Sequence, residues 1–532
     1  MTSARLRHRT IGLGALLVAL VAALVVGAGV GVAGLAKHEA GTTLNYAFSF
    51  DPGTLDPDIF YGNEALVVTT SCYDGLLRYK DNTTQIEPWL ATSWSISKDS
   101  KTYTFHLRPN VTFADGTKFT SEAMKYSFQR RGGINAGPGY MVAPIASMDT
   151  PDPLTLVVHL STPIDPFLHW LASPYGTKAV SPTLVKAHAT KKDPWAKGWL
   201  ATHCAGSGPY TLSSVVPAQR YVLSANPKYW GPKPYFTTVN IDMIPSFSTQ
   251  ELKLKSGDLD LMTHGIPSAD VTSFSKNSKL QVVRLPAITA INLWLNPHKP
   301  NLANVNVRKA VGMALNRAQL VQQVYGQNAT LYSGIFAPGS LPPKWGGVYS
   351  IGYNPAGAKA IVSKVPSSQR SLNFVYTTDD AANQQLAGLI AAQLNAVGFK
   401  VTIRGIPETE VFNYPVYPES KRPDMVVVPN NPDDASPPSN PQLMWVSVKT
   451  AGTYFQPLDP SVDKILFKAK ITANHTQALK LYGEAANKYG AMNVLIPLAN
   501  AKTVIVSRAG ITGFGVQRQG LWTVDLATLR AG

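Results

Sequence analysis

The side chains able to do chemistry are scattered along this 532-residue chain rather than gathered into a catalytic signature. Of the ten histidines, His159 and His169 stand ten positions apart, and His-Glu-x-x-His does not occur, so no side-chain metal centre is spelled out. Ser207 lies between Gly206 and Gly208 without nucleophile-elbow spacing or a visible base. The glycines there read as a tight turn whose exit Pro209 fixes. Two cysteines, Cys72 and Cys204, exclude a disulfide-dense mini-scaffold and a multi-cysteine zinc site. The longest basic stretch, Lys186 to Lys197, is interrupted by Asp193, Pro194 and Trp195 and reads as a solvated loop. The +16 charge reflects few acids (32 against 48 bases), not a basic stripe, and so argues against a nucleic-acid partner. With no nucleophile–base–orienter set and no metal cluster, the chemistry on offer is binding, and no cofactor is implied.

The elements that must position such a site begin with the N-terminus. Arg5, Arg7 and Arg9 precede Ile11 to Ala36, a run of 26 positions without a charged side chain. A positive flank before an apolar run directs a chain to the membrane. Residues 1–36 therefore read as a signal peptide, with a cut after Ala36 possible, or as a membrane anchor, since about 20 apolar residues suffice to span. No cysteine lies there, so a lipoprotein is excluded. The body from residue 37 is expected outside the cytoplasmic membrane. Its length predicts two to four domains at ~100–200 residues each.

Within the body, Thr43 to Phe50 and Tyr103 to Leu107 alternate like strands, and Ala114-Asp115-Gly116 joins two short strands as a hairpin. Thr120 or Ser121 is placed to cap a helix running through Arg131. Asn306 to Tyr325 has helical spacing and closes at Gly326. Strand Ser371–Thr377, a helix from Asp380 to Val397 capped by Asp379, and alternation at Phe399, Val401 and Ile403 make a βαβ crossover, hence a parallel sheet. Met425 to Val428 reads as a buried strand.

Several stretches, taken in order, resemble the family 5 extracellular solute-binding proteins of ABC importers, which bind oligopeptides, dipeptides or nickel. They include Leu55-Asp56-Pro57, Tyr73-Asp74-Gly75-Leu76-Leu77, Pro88-Trp89-Leu90-Ala91, Phe113-Ala114-Asp115-Gly116, Gly206-Ser207-Gly208-Pro209-Tyr210, Asn226-Pro227-Lys228-Tyr229-Trp230-Gly231 and Ala396-Val397-Gly398-Phe399. The resemblance covers about residues 45 to 515. It implies an α/β, two-lobed periplasmic-binding-protein-like fold of the large cluster C type, with a subdomain inserted in the first lobe. The expected division is 37–72, 201–294 and 499–532 for the core of lobe I, 73–200 for the insert and 295–498 for lobe II. Leu285–Leu295 and Leu495–Val504 would be the hinge strands.

The same resemblance implies site residues. Asp433, in Asn431-Pro432-Asp433-Asp434-Ala435-Ser436-Pro437, matches the family's aspartate that holds a peptide α-ammonium. Dipeptide binders carry an arginine for the ligand carboxylate in the strand-to-helix loop of the βαβ unit. Here that loop is Tyr376-Thr377-Thr378-Asp379, leaving Tyr376 and Thr377 to face a ligand, so longer peptides are expected over dipeptides. Trp294 on the first hinge strand, Trp445 beyond the Asp433 loop and Tyr61 are candidate cleft walls, with core packing the alternative. Cys72 and Cys204, exported and both beside first-lobe motifs, are expected to pair; two buried free thiols are the alternative. The implied partners are a peptide-like solute and permease subunits, with the ATPase reached indirectly and the membrane through an uncleaved N-terminus. The chain is expected to be a monomer. A nickel complex, an oligosaccharide, a hydrolase on the same fold and a scaffold that has lost its ligand are the competing readings.

Overall fold

The computed structural model describes residues 43–49, 51–62, 66–80, 82–263, 266–378, 380–411, 413–439, 455, 458–514 and 524–532. The N-terminal leader or anchor, Asp379 and Trp445 lie outside the described residues.

The chain is organised on one mixed sheet. Its strands are β1 (Thr43–Phe48), β2 (Tyr210–Val216), β3 (Arg220–Ala225), β4 (Thr238–Met243), β5 (Leu261–Met262), β6 (Leu280–Leu295), β7 (Ser371–Thr377), β8 (Lys400–Ile406), β9 (Met425–Asn430) and β10 (Leu495–Arg508). They run in the order β8-β7-β9-β6-β10-β5-β1-β4-β3-β2. β1 pairs in parallel with β4 at one end, and β7 pairs in parallel with β8 and β9 at the other. The antiparallel pair β6–β10 joins the two halves.

Two hydrophobic cores form on either side of that pair. One gathers Leu44, Phe48, Phe105, Trp170, Leu223, Ile288 and Ile505; the other gathers Ile291, Leu293, Trp294, Phe374, Leu386, Val427 and Leu498. The cores change over between Ile288 and Ile291 on β6 and between Ala499 and Ile505 on β10. Among the described residues these two strands carry the backbone from one core to the other at this point, with the short strand Ala329–Leu331 paired to β10 at Ala499–Ala501, the geometry of a two-lobed fold. Leu293 and Leu498 sit inside the second core, so the changeover falls a few residues toward the first lobe.

The changeover has a local cause. Pro286 has no N–H for the ladder, and the β6–β10 register shifts between Leu285 and Thr289. The Asn500 amide replaces the missing partners by donating to the carbonyls of Ala287 (2.8 Å) and Thr289 (2.9 Å). The pair is thereby kept together where its regular ladder is interrupted.

In the first lobe a separate antiparallel sheet carries Ala91–Ile96, Thr102–Leu107, Ile145–Asp152 and Thr155–Leu160, and its inner face joins the first core. Helix α1 (Ser121–Ile134) starts at Thr120, whose side chain accepts the Ala123 N–H, and stops at Asn135 in a left-handed conformation. α1 buries two arginines: Arg130 pairs with Asp56 and Asp58 at 2.6 Å each, and Arg131 with Asp58 at 2.8 Å. Short α2 (Phe167–Ala172) follows in the same lobe. The predicted hairpin around Gly116 is a tight turn with Thr112 and Lys118 bridged.

The single helix expected over 306–325 is two: α3 (Val305–Ala314) and α4 (Arg317–Tyr325). Leu315 is extended, and the Asn316 side chain accepts the Gln319 N–H to start the second helix. An asparagine offering its own acceptor competes with helix continuation, and the apolar spacing does not reveal it. The βαβ unit forms from β7, α5 (Ala381–Ala396) and β8, but the cap is Asp380 rather than the expected Asp379: its side chain accepts the Ala382 N–H at 2.9 Å, so the helix starts one residue later. Helices α6 (Pro460–Lys470) and α7 (His475–Ala491) complete the second lobe. No helix among the described residues is long and apolar enough to cross a membrane.

Cys72 and Cys204 are joined by a disulfide, their Cα atoms 5.9 Å apart and 132 residues separated in sequence. Closing so long a loop restricts the unfolded chain, which in the chain-entropy picture is worth about 4–5 kcal/mol. The Cys72→Ser/Cys204→Ser double variant should unfold at a lower urea midpoint by a comparable free energy. An unchanged midpoint would mean the bond contributes nothing.

Candidate ligand-binding site

The site grows from the end of β9. Asn430 is pinned to β6, its side-chain oxygen accepting from Asn292 Nδ2 (2.9 Å) and Trp294 Nε1 (3.3 Å). The chain then turns through Asn431 to Ser439, almost all of it buried. The turn holds itself together: the Asp434 N–H reaches Ser439 Oγ at 3.1 Å, and the Ser436 N–H reaches Asp434 Oδ1 at 2.7 Å.

The other lobe closes over this turn. Tyr79 Oη accepts the Ala435 N–H at 2.9 Å, and Ser173 Oγ donates to the Asp433 carbonyl. Two tyrosine hydroxyls, from Tyr61 and from Tyr140 (2.7 Å), donate to the same carboxylate oxygen, Asp433 Oδ2. Oδ1 of Asp433, only 5% exposed as a residue, has no hydrogen bond among the described residues. Around this point Tyr61 packs edge-on against Tyr175, Tyr140 edge-on against Trp170, and the Lys470 ammonium sits 5.0 Å above the Trp170 ring.

Burial raises the Asp433 pKa, and the Tyr140 and Tyr61 hydroxyls only partly oppose it. Burial, reinforced by the Asp433 charge, pushes the hydroxyls of Tyr61, Tyr140 and Tyr175 well above the ordinary tyrosine value, so they remain donors. Tyr61 is 45% exposed as a residue, but its hydroxyl end is shut in against the carboxylate. Burial takes Asp434 to about 7 and Lys470 down to about 8. No fixed cation lies within ion-pair distance of Asp433 among the described residues. A buried carboxylate served only by neutral donors is costly unless a cation joins it. The arrangement can therefore take an ammonium or another cationic donor on Oδ1.

The sequence-derived candidates distribute unevenly. Tyr61 meets Asp433 directly. Trp294 is packed in the second core at 3% exposure and touches the site through Asn430. Tyr376 and Thr377 are buried at the end of β7, where Thr377 Oγ1 accepts from Asn383 Nδ2 at 2.9 Å. Neither hydrogen-bonds Asp433 among the described residues. Tyr140, Ser173, Tyr79, Trp170 and Lys470 were not foreseen. Ser173 and Tyr140 lie 260 and 293 residues from Asp433, and the Gly-Pro-Gly before Tyr140 signals a turn without naming its partner.

The motif residues form a second, structural knot in the first lobe. Asp74 accepts from Trp89 Nε1 (2.7 Å), Trp230 Nε1 (3.0 Å) and Ser207 Oγ (2.9 Å). A Cβ on Gly206 or Gly208 would run into the backbone of Cys72 and Ser71. Ser207 is thus a buried hydrogen-bond donor in a glycine turn.

Comparison with known proteins settles the family. The model of bacterial extracellular solute-binding proteins, family 5 (middle), matches residues 85–452. The chain belongs to this family. It is 32% identical over 447 residues to the probable D,D-dipeptide-binding periplasmic protein DdpA of Escherichia coli, covering 82% of this chain and 84% of that one. It is 25% identical over 493 residues to the E. coli nickel-binding periplasmic protein, covering 87% and 90%. Among solved structures, the Helicobacter pylori periplasmic binding protein DppA in complex with the peptide STSA superposes with a TM-score of 0.75 at 26% identity, covering 92% and 98%. The family is one of binding proteins, and the two-lobed α/β fold is shared.

The Asp434 carboxyl generates a pH prediction. Its folded value near 7 exceeds the ordinary 3.8, so the folded state holds that proton more tightly than the unfolded one. The associated stability is complete below about pH 4 and is lost as pH rises toward 7, at up to about 1.4 kcal/mol per unit. Asn at 434 retains the acceptor for the Ser436 N–H without the charge. Urea unfolding from pH 4 to 8 should show Asp434→Asn equal to wild type at the acid end and more stable above pH 7. A pH-independent difference would refute the assignment.

Proposed function

We propose that this chain is the extracytoplasmic substrate-binding component of an ABC importer, exported through its N-terminal segment, which captures peptides in the cleft between its lobes and passes them to permease subunits. The observation that carries this reading is Asp433: a buried carboxylate with two tyrosine donors on one oxygen and, among the described residues, no partner on the second oxygen and no fixed cation. A peptide α-ammonium supplies the missing charge and its donors in one group. The aromatic surround of Tyr61, Tyr140, Tyr175 and Trp170 suits side chains of varied shape.

Oligopeptides fit better than dipeptides, because the loop after β7 has no arginine to clamp a nearby carboxylate. The likeness to the D,D-dipeptide-binding protein favours a second reading, a dipeptide-like ligand held by the same amine anchor. Both readings put the lobes' closing motion about the β6–β10 crossover, with the ligand stabilising the closed state by its differential affinity for it.

Calorimetry with Ala-Ala-Ala-Ala, Ala-Ala and their N-acetylated forms separates these readings. Asp433→Asn preserves side-chain shape and removes the charge, so it should cost the free tetrapeptide about 2–5 kcal/mol, at least ~30-fold in affinity. N-acetylation should cost wild type a similar amount and add little in the variant, since both changes remove one interaction. Additive losses would mean that Asp433 does not hold the amine. Tighter binding of Ala-Ala than of the tetrapeptide would favour the dipeptide reading.

A further inference from the structure

The lobes also meet beside the Asp433 turn, through groups that do not touch Asp433 itself. The corner between α6 and α7 of the second lobe rests on the loop that leads into α2 of the first. There the Asp165 N–H donates to the Lys470 carbonyl at 2.8 Å, and Ser100 Oγ donates to the Ala473 carbonyl at 3.1 Å. The Asp165 carboxylate meets His475 Nδ1 at 2.7 Å. Ile164 and Phe167, flanking Asp165, belong to the first core, whereas Leu466, Ala469 and Ala478, flanking the corner, belong to the second. The carboxylate–imidazole pair therefore bridges two bodies joined elsewhere by the hinge strands.

The pair is lopsided. The Asp165 side chain is 4% exposed and that of His475 60% exposed. A carboxylate shut in against the other lobe favours an imidazolium beside it. The other ionisable groups facing the pair are His169 and Tyr103 from the first lobe and Tyr482 from the second. Lys470 takes part through its backbone, with its ammonium held over Trp170. His169 is buried, hydrogen-bonded to Tyr79 through Nδ1, and held neutral by burial with a value near 4. Lys470, lowered to about 8, and Asp434, raised to about 7, also change charge near neutrality beside this contact, so the share of His475 is read from its own variant.

We propose that Asp165 and His475 form a proton-dependent clasp between the lobes, which sets how readily the binding cleft opens. Closing the lobes raises the His475 value above the ordinary 6.5, chiefly through the Asp165 hydrogen bond. Its contribution to the closed state is therefore complete below about 6.5 and is lost as pH rises through the raised value. Burial also raises Asp165 above 3.8, so its own proton uptake at acid pH favours the closed state as well. The clasp is therefore weakest on the alkaline side. Ligand release would then be easier at mildly alkaline than at mildly acid pH, a property that rests on the solute-binding reading, although the clasp itself does not.

The test uses the full chain without ligand. Spin labels at Leu252→Cys in the first lobe and Tyr353→Cys in the second, both exposed, report the interlobe distance by pulsed electron resonance at pH 6 and pH 8.5. In the wild-type background the open-to-closed ratio should rise about two- to five-fold at the higher pH, the range for a partly exposed ion pair. His475→Gln should diminish the pH response, leaving the part that Asp434 and Lys470 supply. Asp165→Asn should do the same and should bring the His475 titration, followed by its ring carbon resonance, down toward 6.5. Should Asp165→Asn fold poorly, the exposed His475 variant still decides. A wild-type distance distribution that ignores pH, or a response that His475→Gln leaves undiminished, overturns the clasp. Failure of peptides to bind would overturn the proposed function and leave this measurement standing.

Discussion

A carboxylate buried without a fixed cation is the constraint on which this structure turns. At Asp56 and Asp58 the chain neutralises buried acids with arginines, Arg130 and Arg131 standing at 2.6–2.8 Å. At Asp433 it supplies tyrosine hydroxyls from the opposite lobe and no cation among the described residues. Neutral donors offset part of the desolvation cost of a carboxylate and leave the rest for a ligand to relieve. Because those donors stand on the first lobe and the carboxylate on the second, the same interaction ties the chemistry of binding to lobe closure. Burial of the hydroxyls keeps them protonated, which preserves their role as donors across the range where a peptide amine is charged.

Closure about this point needs a joint that bends without parting. Pro286 interrupts the β6–β10 ladder where the two cores change over, and the Asn500 amide holds the freed carbonyls. On either side the same pair is rigidly embedded, Ile505 in the first core and Leu498 in the second. The ladder shifts register twice, between Leu285 and Thr289 and between Ile291 and Asn292, and the proposed closing motion would concentrate there, since a packed core resists deformation. The proposed Asp165–His475 clasp differs: it links the lobes through one buried carboxylate and one exposed imidazole, and its strength varies with proton concentration rather than with ligand.

The short motifs that betray the family do a different job from the binding turn. Asp74, Trp89, Ser207 and Trp230 come from four separate stretches and converge on one carboxylate. The disulfide of Cys72 and Cys204 ties two of those stretches together next to the glycines that allow them to approach. These residues fix the first lobe's interior and so the platform bearing Tyr61, Tyr79 and Tyr140. The family is thus recognised by its scaffold, which is separate from the turn proposed to hold the ligand.

The sequence by itself determined the elements whose cause is local. Alternation and caps specify β7, α5 and β8; turn chemistry specifies the Gly116 hairpin; and Thr120 starts α1. It also singled out Asp433 and Tyr61, through family resemblance rather than through spacing. It misjudged 306–325 because Asn316 competes for the backbone through its own side chain, a contest that hydrophobic periodicity does not register. Only the tertiary structure decided that Tyr140 and Ser173 reach Asp433, that Trp294 lies in a core, and that Asp165 faces His475. Those pairings join residues hundreds of positions apart on two lobes, and nothing in either neighbourhood encodes the other. Their meeting follows from how two cores are set about a shared pair of strands, and side-chain chemistry acquires its meaning there only once the lobes are brought together.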